Sequence, residues 1–593
     1  MNSKYKTMFA HSTPQGLLRS VARVVCVVAM AYYMGKAITS GVNTLGAIIY
    51  SLFPVFAFGG TLLLLETQKG NFAFSFSLPS PLDVKAFKKA LAAAVIGLIA
   101  GVLLLHSGMN SPVDLIMILL VILSAALSVV LMLRGQAVQA LCVFILAWPF
   151  IIFENGHGRF FFYLTNIFTE ISTFDTPDIA MLTYICLLLA CWLIGLAINP
   201  KRLAPASWSS GIWLFVVAGL LSTLLSPQPL SSLVQFINVI LLPVLLFIFF
   251  SNEVRSWSDF RKLSLVLGFT MAIITFVWLY YALYASPDPS LAISEFASTR
   301  GGGGKILGSR YAGYNGIYYE YLSPLILPSV LALSVTANNL RAKTLWILTA
   351  ILMLGATFLT FGRNGWIATL LCLQPWIWRY RRGRLLGVLS LACCFVLIYH
   401  FNEIFNELFS RFAVFLSWRN INELIHFRIW KASVDMFLKH PWHGIGIGMF
   451  KEFTAGYNLF VWVEDESSRV IPLEVINAHA AFFQIISELG ILGLIAWGAM
   501  LWIPLRNVFS RSKMNSLSSY RESPWSIALQ SYSLVLTFFF FSGPLSWLGV
   551  ESPQIIIFFL WLAVVSNKDV FWKNFHMNKG LVKDQSSRIG SIT

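Results

Sequence analysis

An all-α polytopic membrane protein of about sixteen transmembrane helices is the fold the sequence predicts, and three observations predict it. Of the 593 residues, 57% are hydrophobic and 11% charged, against roughly 25% charged in an ordinary soluble domain. Apolar runs of about 18–25 residues, each long enough to cross a bilayer, recur from end to end. The 42 Lys and Arg, against 26 Asp and Glu, gather in alternate connections between those runs. A formal charge of +16 would otherwise point to nucleic acid, but the alternation is the positive-inside signature, so no nucleic acid partner is expected.

The apolar runs lie near 17–36, 43–65, 89–106, 112–133, 137–153, 179–198, 209–226, 231–250, 263–285, 321–337, 344–361, 365–379, 385–400, 481–505, 525–546 and 552–566. The first has a basic flank and an Ala29-x-Ala31 sequence. Because a second apolar run follows almost at once, an uncleaved signal-anchor is the simpler reading, with a cleaved signal peptide as its alternative. The run at 137–153 follows a three-residue turn at Arg134. Dense basic clusters at Arg379, Arg381, Arg382 and Arg384, at Arg506, Arg511, Lys513 and Arg521, and in the tail at Lys568, Lys573, Lys579, Lys583 and Arg588 put the same side of the membrane at alternate connections. Both termini are therefore expected in the cytoplasm. The seven cysteines, Cys26, Cys142, Cys186, Cys191, Cys372, Cys393 and Cys394, all fall in apolar runs, which indicates neither a disulfide nor a cysteine-metal site.

Two outside segments are long, 286–320 and 401–480, and function concentrates in such loops. The first contains Arg300-Gly-Gly-Gly-Gly-Lys305, whose glycines permit a tightly turned or mobile backbone, and then tyrosines at 311, 314, 318, 319 and 321. Those rings suit sugar faces, and they equally suit anchoring at a membrane surface. In the second segment, Phe427, Ile429/Trp430, Val434 and Phe437/Leu438 recur at three- and four-residue steps, which predicts an amphipathic helix on the outer membrane surface. His440-Pro-Trp-His-Gly-Ile-Gly-Ile-Gly448 ends that helix, and another begins near Asn477. Glu464-Asp465-Glu466 reads as a solvated loop, since no octahedral oxygen set surrounds it.

Arg310, Arg363, Arg428 and His479 are all expected on the outside face. Guanidiniums stay charged and present planar forks of donors, so three of them at a membrane surface can hold a pyrophosphate. Individually, each also fits an arginine reaching for lipid headgroups. His426, His440 and His443 share the loop, and the two that flank Pro441 suit a turn.

These residues resemble the O-antigen ligase and O-antigen polymerase superfamily of bacterial envelope glycosyltransferases. Three stretches carry the resemblance: Arg310-Tyr-Ala-Gly313 with Asn315; Leu359-Thr-Phe-Gly-Arg-Asn-Gly-Trp366, with Gly362 in place of the usual serine; and Arg428-Ile-Trp430 through His440–Gly446 to Asn477-Ala-His479, followed by Gly490 and Gly493. Ala480 stands where the family commonly has Asn, Ser or Gln, which leaves Asn477 or Gln484 to orient the imidazole. The resemblance covers roughly 137–566. It leaves 1–136 as extra membrane helices of unknown role and 567–593 as a basic cytoplasmic tail.

The resemblance implies transfer of a glycan from undecaprenyl pyrophosphate to an acceptor hydroxyl, on lipid A-core or on a second lipid-linked repeat. It further implies an enzyme of the bacterial inner membrane with its site on the periplasmic face, needing neither a cofactor nor a metal. Arg310, Arg363 and Arg428 would bind pyrophosphate, His479 would be catalytic, and Tyr311, Tyr314, Asn477 and Gln484 would contact sugar or acceptor. The competing class is a transporter or flippase of lipid-linked glycan, for which ionisable residues or broken helices near mid-membrane would be expected. A metal-dependent oligosaccharyltransferase would want a Trp-Trp-Asp type loop, which the sequence lacks.

Overall fold

The computed structural model describes residues 112–152, 176–198, 203–204, 209–284, 310–359, 363–379, 425–457, 459–464, 470–474, 477–478, 480–509, 524–542 and 553–567. The apolar runs near 17–36, 43–65, 89–106 and 385–400, the glycines 301–304, Asp465 and Glu466, Cys26, Cys393, Cys394, His479 and the basic tail beyond Asn567 lie outside the described residues. Every other apolar run falls on a helix. The chain divides into two compact units, one of 1–213 with 248–254 and the other of 214–247 with 255–593.

In the first unit, α1 (Pro112–Leu133), α2 (Ala137–Ile152) and α3 (Thr176–Ile198) pack on one another. The turn between α1 and α2 closes because Gly135 takes φ 74°, a left-handed conformation that a side chain opposes. Buried polar groups here are paired. Ser128 Oγ donates to the Ala140 carbonyl (3.1 Å) and bonds the Tyr184 hydroxyl (2.9 Å), while Trp192 Nε1 donates to Glu253 (2.8 Å).

The other helices are α4 (Ser210–Leu224), α5 (Pro229–Phe236), a π-helical turn (Ile237–Leu241) and α6 (Leu242–Glu253). They are followed by α7 (Trp257–Tyr284), α8 (Arg310–Thr336), α9 (Leu340–Leu359) and α10 (Arg363–Arg379). Among the described residues, three stretches are long and apolar enough to cross a membrane: 229–253, 340–357 and 481–506. In the second unit α8 is central, packing against α7, α9 and α10, and also against α14 (Pro524–Phe539) and α15 (Pro553–Ser566).

Between apolar helices the hydrophobic effect gives little specificity, so hydroxyl and indole bonds fix register. Thr357 Oγ1 donates to Ser323 (2.6 Å), Ser329 bonds both Ser264 (2.8 Å) and Tyr532, and Trp561 Nε1 donates to the Leu325 carbonyl (2.7 Å). The Trp561 ring stacks on Tyr532 at 4.2 Å.

The segment before the last three helices departs from the expected all-helical loop. It comprises α11 (Ile425–Lys439), a short α12 (Phe450–Thr454) with a 3₁₀ turn (Ala455–Tyr457), and an antiparallel hairpin of β1 (Phe460–Glu464) and β2 (Val470–Glu474), leading to α13 (Ala481–Phe509). Val, Ile and aromatic residues at these positions favour strand over helix. Glu464 thus ends a strand, and α13 starts at Ala481 instead of near Asn477. Helix α11 forms where periodicity put it, but Val434 is 37% and Leu438 67% exposed. Its buried stripe is Ile429, Ala432, Ser433 and Met436. Small Ala432 and Ser433 permit close packing, and the Ser433 hydroxyl is satisfied by the Ile429 carbonyl at 2.9 Å.

Candidate functional site

Helix α13 is broken nine residues after it starts. Gly490 adopts φ 63°, ψ −157°, and the break leaves backbone carbonyls before it and amides after it without helical partners. The 441–446 loop supplies them. Ile445 N–H donates to the Ser487 carbonyl (2.9 Å) and Gly446 N–H to the Glu488 carbonyl (3.2 Å), while Ile491 N–H donates to the Pro441 carbonyl (2.8 Å) and Leu492 N–H to that of Trp442 (3.5 Å). Ser222 Oγ on α4 adds a second donor to the Glu488 carbonyl at 2.5 Å, and Ser232 Oγ on α5 donates to the Ile447 carbonyl at 2.8 Å. Each such group left unpaired in an apolar interior would cost roughly 1–3 kcal/mol, so helix break and loop require each other.

The glycines follow from that docking. A Cβ on Gly490 would lie 2.7 Å from the Pro441 and Trp442 carbonyl oxygens, and one on Gly444 would overlap the Glu488 backbone. Both residues have positive φ, as do Gly446 and Gly448. A Cβ at Gly446 would meet Ser226, and one at Gly448 would meet Gln235. On Gly493 a Cβ would meet the Leu489 side chain.

Bonds to Ala478 and Ala481 tie together the helices that carry two of the expected arginines. Trp430 Nε1 on α11 donates to the Ala478 carbonyl (3.2 Å), and its ring stacks on Phe483 of α13 at 5.1 Å and 10°. Ala481 N–H donates to the Ser542 carbonyl at 3.4 Å, just past the end of α14. Three residues back, Phe539 makes an edge contact with Tyr321 of α8 at 5.9 Å, and Asn364 Nδ2 donates to the Tyr321 hydroxyl at 3.4 Å. The backbones of Arg428, exposed on α11 two residues before Trp430, and of Arg363, which opens α10 beside Asn364, thereby lie at the end of the helix group that holds Ala478 and Ala481. Arg363 also stands at a helix N-terminus, where the backbone dipole favours an anion.

Arg310, with Tyr311 and Tyr314, lies in the first turns of α8. Eleven residues before Tyr321, its backbone is about 16 Å along the helix axis.

Asn477 is 5% and Gln484 8% exposed. Gln484 Oε1 accepts the Ala478 N–H at 2.6 Å, and its Nε2 donates to Glu488 Oε1 at 2.7 Å. Glu488 itself went unread in the sequence, although a lone carboxylate inside an apolar run is a functional signal by default. His440 and His443 occupy the Pro441 turn with ring centroids 6.1 Å apart. Partial burial, then the nearby charges of His443 and Lys439, lower the His440 pKa below its ordinary 6.5. Among the described residues no cluster of three or more His, Cys, Asp or Glu is placed to hold a metal.

No curated protein matches this chain. The family model described as O-antigen ligase matches residues 348–498, a stretch that runs from α9 into α13 and includes Arg363, Arg428, the 441–448 loop and residue 479. The loop, the broken helix and the two arginines therefore fall inside one family-matched segment, and the match supports the O-antigen ligase and polymerase superfamily for this chain.

Proposed function

We propose that the protein transfers a glycan from undecaprenyl pyrophosphate to an acceptor hydroxyl at the outer face of the bacterial inner membrane, in the manner of an O-antigen ligase or polymerase. The observation that carries the reading is the gathering of Arg363, Arg428 and the residues flanking His479 at one end of the helix group, by the Trp430, Ala481 and Asn364 bonds. The acceptor oxygen attacks the anomeric carbon, the bond from that carbon to the pyrophosphate oxygen breaks, and the lipid pyrophosphate leaves with the electron pair. Arg363 and Arg428, joined by Arg310 from the start of α8, bind the pyrophosphate and stabilise the charge developing on it. His479 accepts the acceptor's proton. Tyr311 and Tyr314 serve sugar or acceptor, and Asn477 and Gln484 line the same approach. The arginines supply the positive charge, so neither metal nor cofactor is required. Lipid A-core and a second lipid-linked repeat use the same chemistry as acceptors.

A transporter or flippase of lipid-linked glycan is the second reading, favoured by the break at Gly490 and by Glu488 within an apolar helix. Against it, the Ser487 and Glu488 carbonyls and the Ile491 and Leu492 amides are occupied by the 441–446 loop, whereas transporters turn such freed groups toward substrate.

Purified protein given synthetic undecaprenyl-pyrophosphate glycan and acceptor, with EDTA and without nucleotide, tests the proposal. Transfer should occur, and His479→Ala should lower its rate by about 10²–10⁴-fold while donor binding persists. Full transfer by that variant, or strict dependence on a divalent metal, would overturn the scheme.

A further inference from the structure

Glu488 is 7% exposed on a helix otherwise apolar around it. Burying a carboxylate costs several kcal/mol unless it is well bonded, and Glu488 is bonded on two sides. Toward the loop it faces the Gly448 N–H and accepts that of Phe450 (3.2 Å). Along its own helix it accepts from Gln484 Nε2.

That second bond does more than satisfy the carboxylate. A glutamine amide has one accepting and one donating end, and nothing in its shape distinguishes them. Glu488 Oε1 already receives the Phe450 N–H, so it takes the donating end, Nε2, and turns the glutamine Oε1 toward the Ala478 N–H. The Ala478 carbonyl is meanwhile held by Trp430 Nε1. Both polar backbone atoms of the residue immediately before His479 are thus fixed, one through Glu488 and Gln484, the other through the helix that carries Arg428.

We infer that Glu488 and Gln484 are positioning residues for His479: the carboxylate orients the glutamine amide, and the amide fixes the backbone of Ala478, the residue that precedes the histidine. This rests on the transfer reading given above, and it assigns to residues one and two helical turns into α13 the orienting task that the side chain at position 480, an alanine here, cannot perform.

The predicted consequence is confined to the chemical step. Gln484→Leu leaves the Ala478 N–H without its acceptor and should lower kcat by about 10²-fold, the scale of a small misplacement of a reacting group, with the donor KM unchanged. The exchanged variant Gln484→Glu/Glu488→Gln rebuilds the bonds that fix residue 478: Glu at 484 accepts from Ala478 N–H and from the new amide at 488, which gives up only the Phe450 N–H that Glu488 Oε1 also accepts. It should recover kcat to within a few-fold of the parent protein.

Steady-state transfer by the purified full-length proteins, with thermal unfolding recorded alongside, decides the matter. A loss in Gln484→Leu confined to kcat, restored by the exchange, supports the assignment. An exchanged variant as slow as Gln484→Leu, a Gln484→Leu protein as fast as the parent, or a loss that follows KM or unfolding temperature, overturns it. If Gln484→Leu does not fold, the exchanged variant decides alone. His479→Ala is measured in the same series: if it is inactive and Gln484→Leu is fully active, only the positioning role falls, whereas an active His479→Ala removes both the role and the transfer scheme.

Discussion

Arg363 opens α10, where the first amides of the helix have no helical partners and favour an anion. Arg363→Lys keeps the charge and loses the planar fork, so transfer should fall by roughly 10–100-fold, the equivalent of one charge-assisted hydrogen bond, while the protein still accumulates in the membrane. Arg341→Lys, exposed in the first turn of α9, is the control and should leave activity unchanged; equal losses from both would mean that folding, and not anion binding, is affected. His440 offers a test in pH. Its folded pKa is lowered from 6.5 by partial burial and by the charges of His443 and Lys439, so the folded chain takes up this proton less readily than the unfolded one. Its contribution to stability is complete above about 6.5 and is lost as pH falls through the lowered value. The unfolding temperature of His440→Gln should therefore vary less between about pH 5 and 7 than that of the parent; identical pH profiles would show that His440 is not set apart by its surroundings. Arg363, Arg428 and His479 were legible as residue types on one expected side of a membrane. Glu488 was not, because what distinguishes it is a glutamine amide and a loop amide that no spacing in its own helix reveals.

At the level of elements, α13 shows how far hydropathy reads and where it stops. Its apolar run gave a length sufficient for a membrane, while the helix was expected from near Asn477 and begins at Ala481, and nothing in that run announced a break. The spacing of Gly490 and Gly493 was visible as a resemblance, but the reason for Gly490 lies in the carbonyls of Pro441 and Trp442, nearly fifty residues earlier in the chain. Gly490→Ala would place a side chain at a φ and ψ that essentially only glycine adopts, costing about 1–3 kcal/mol, and press it against those carbonyls. It should lower the unfolding temperature and loosen the loop to protease. Gly498→Ala, in the same helix with nothing within 4 Å of the added carbon, should be neutral or slightly stabilising. Comparable damage from the two would remove the loop contact as the explanation. The hairpin of β1 and β2 was likewise missed, because two five-residue strands between helices offer too short a period to stand out from a polar loop.

For the whole molecule, recurrent apolar runs were enough to read a helical membrane protein, and every described run is a helix. Sidedness rests on basic residues between helices and has its own test. Cysteines introduced at Gly303 and Asp465 should react with a membrane-impermeant maleimide in outer-membrane-permeabilised cells, and one at Ser516 only after lysis. Labelling of Ser516→Cys in unlysed cells would invert the assignment and move the site to the other face. The docking of the 441–446 loop into the break of α13 also sets an order of events in time. The ribosome completes the loop some forty residues before it makes Ser487, Glu488, Ile491 and Leu492. At about 5–20 residues per second, this leaves the loop without those partners for roughly 2–8 seconds on every nascent chain. The end of the protein that carries the proposed site is consequently among the last parts to mature, and a chain halted within α13 would lack both the docked break and the helices α14 and α15 that follow it.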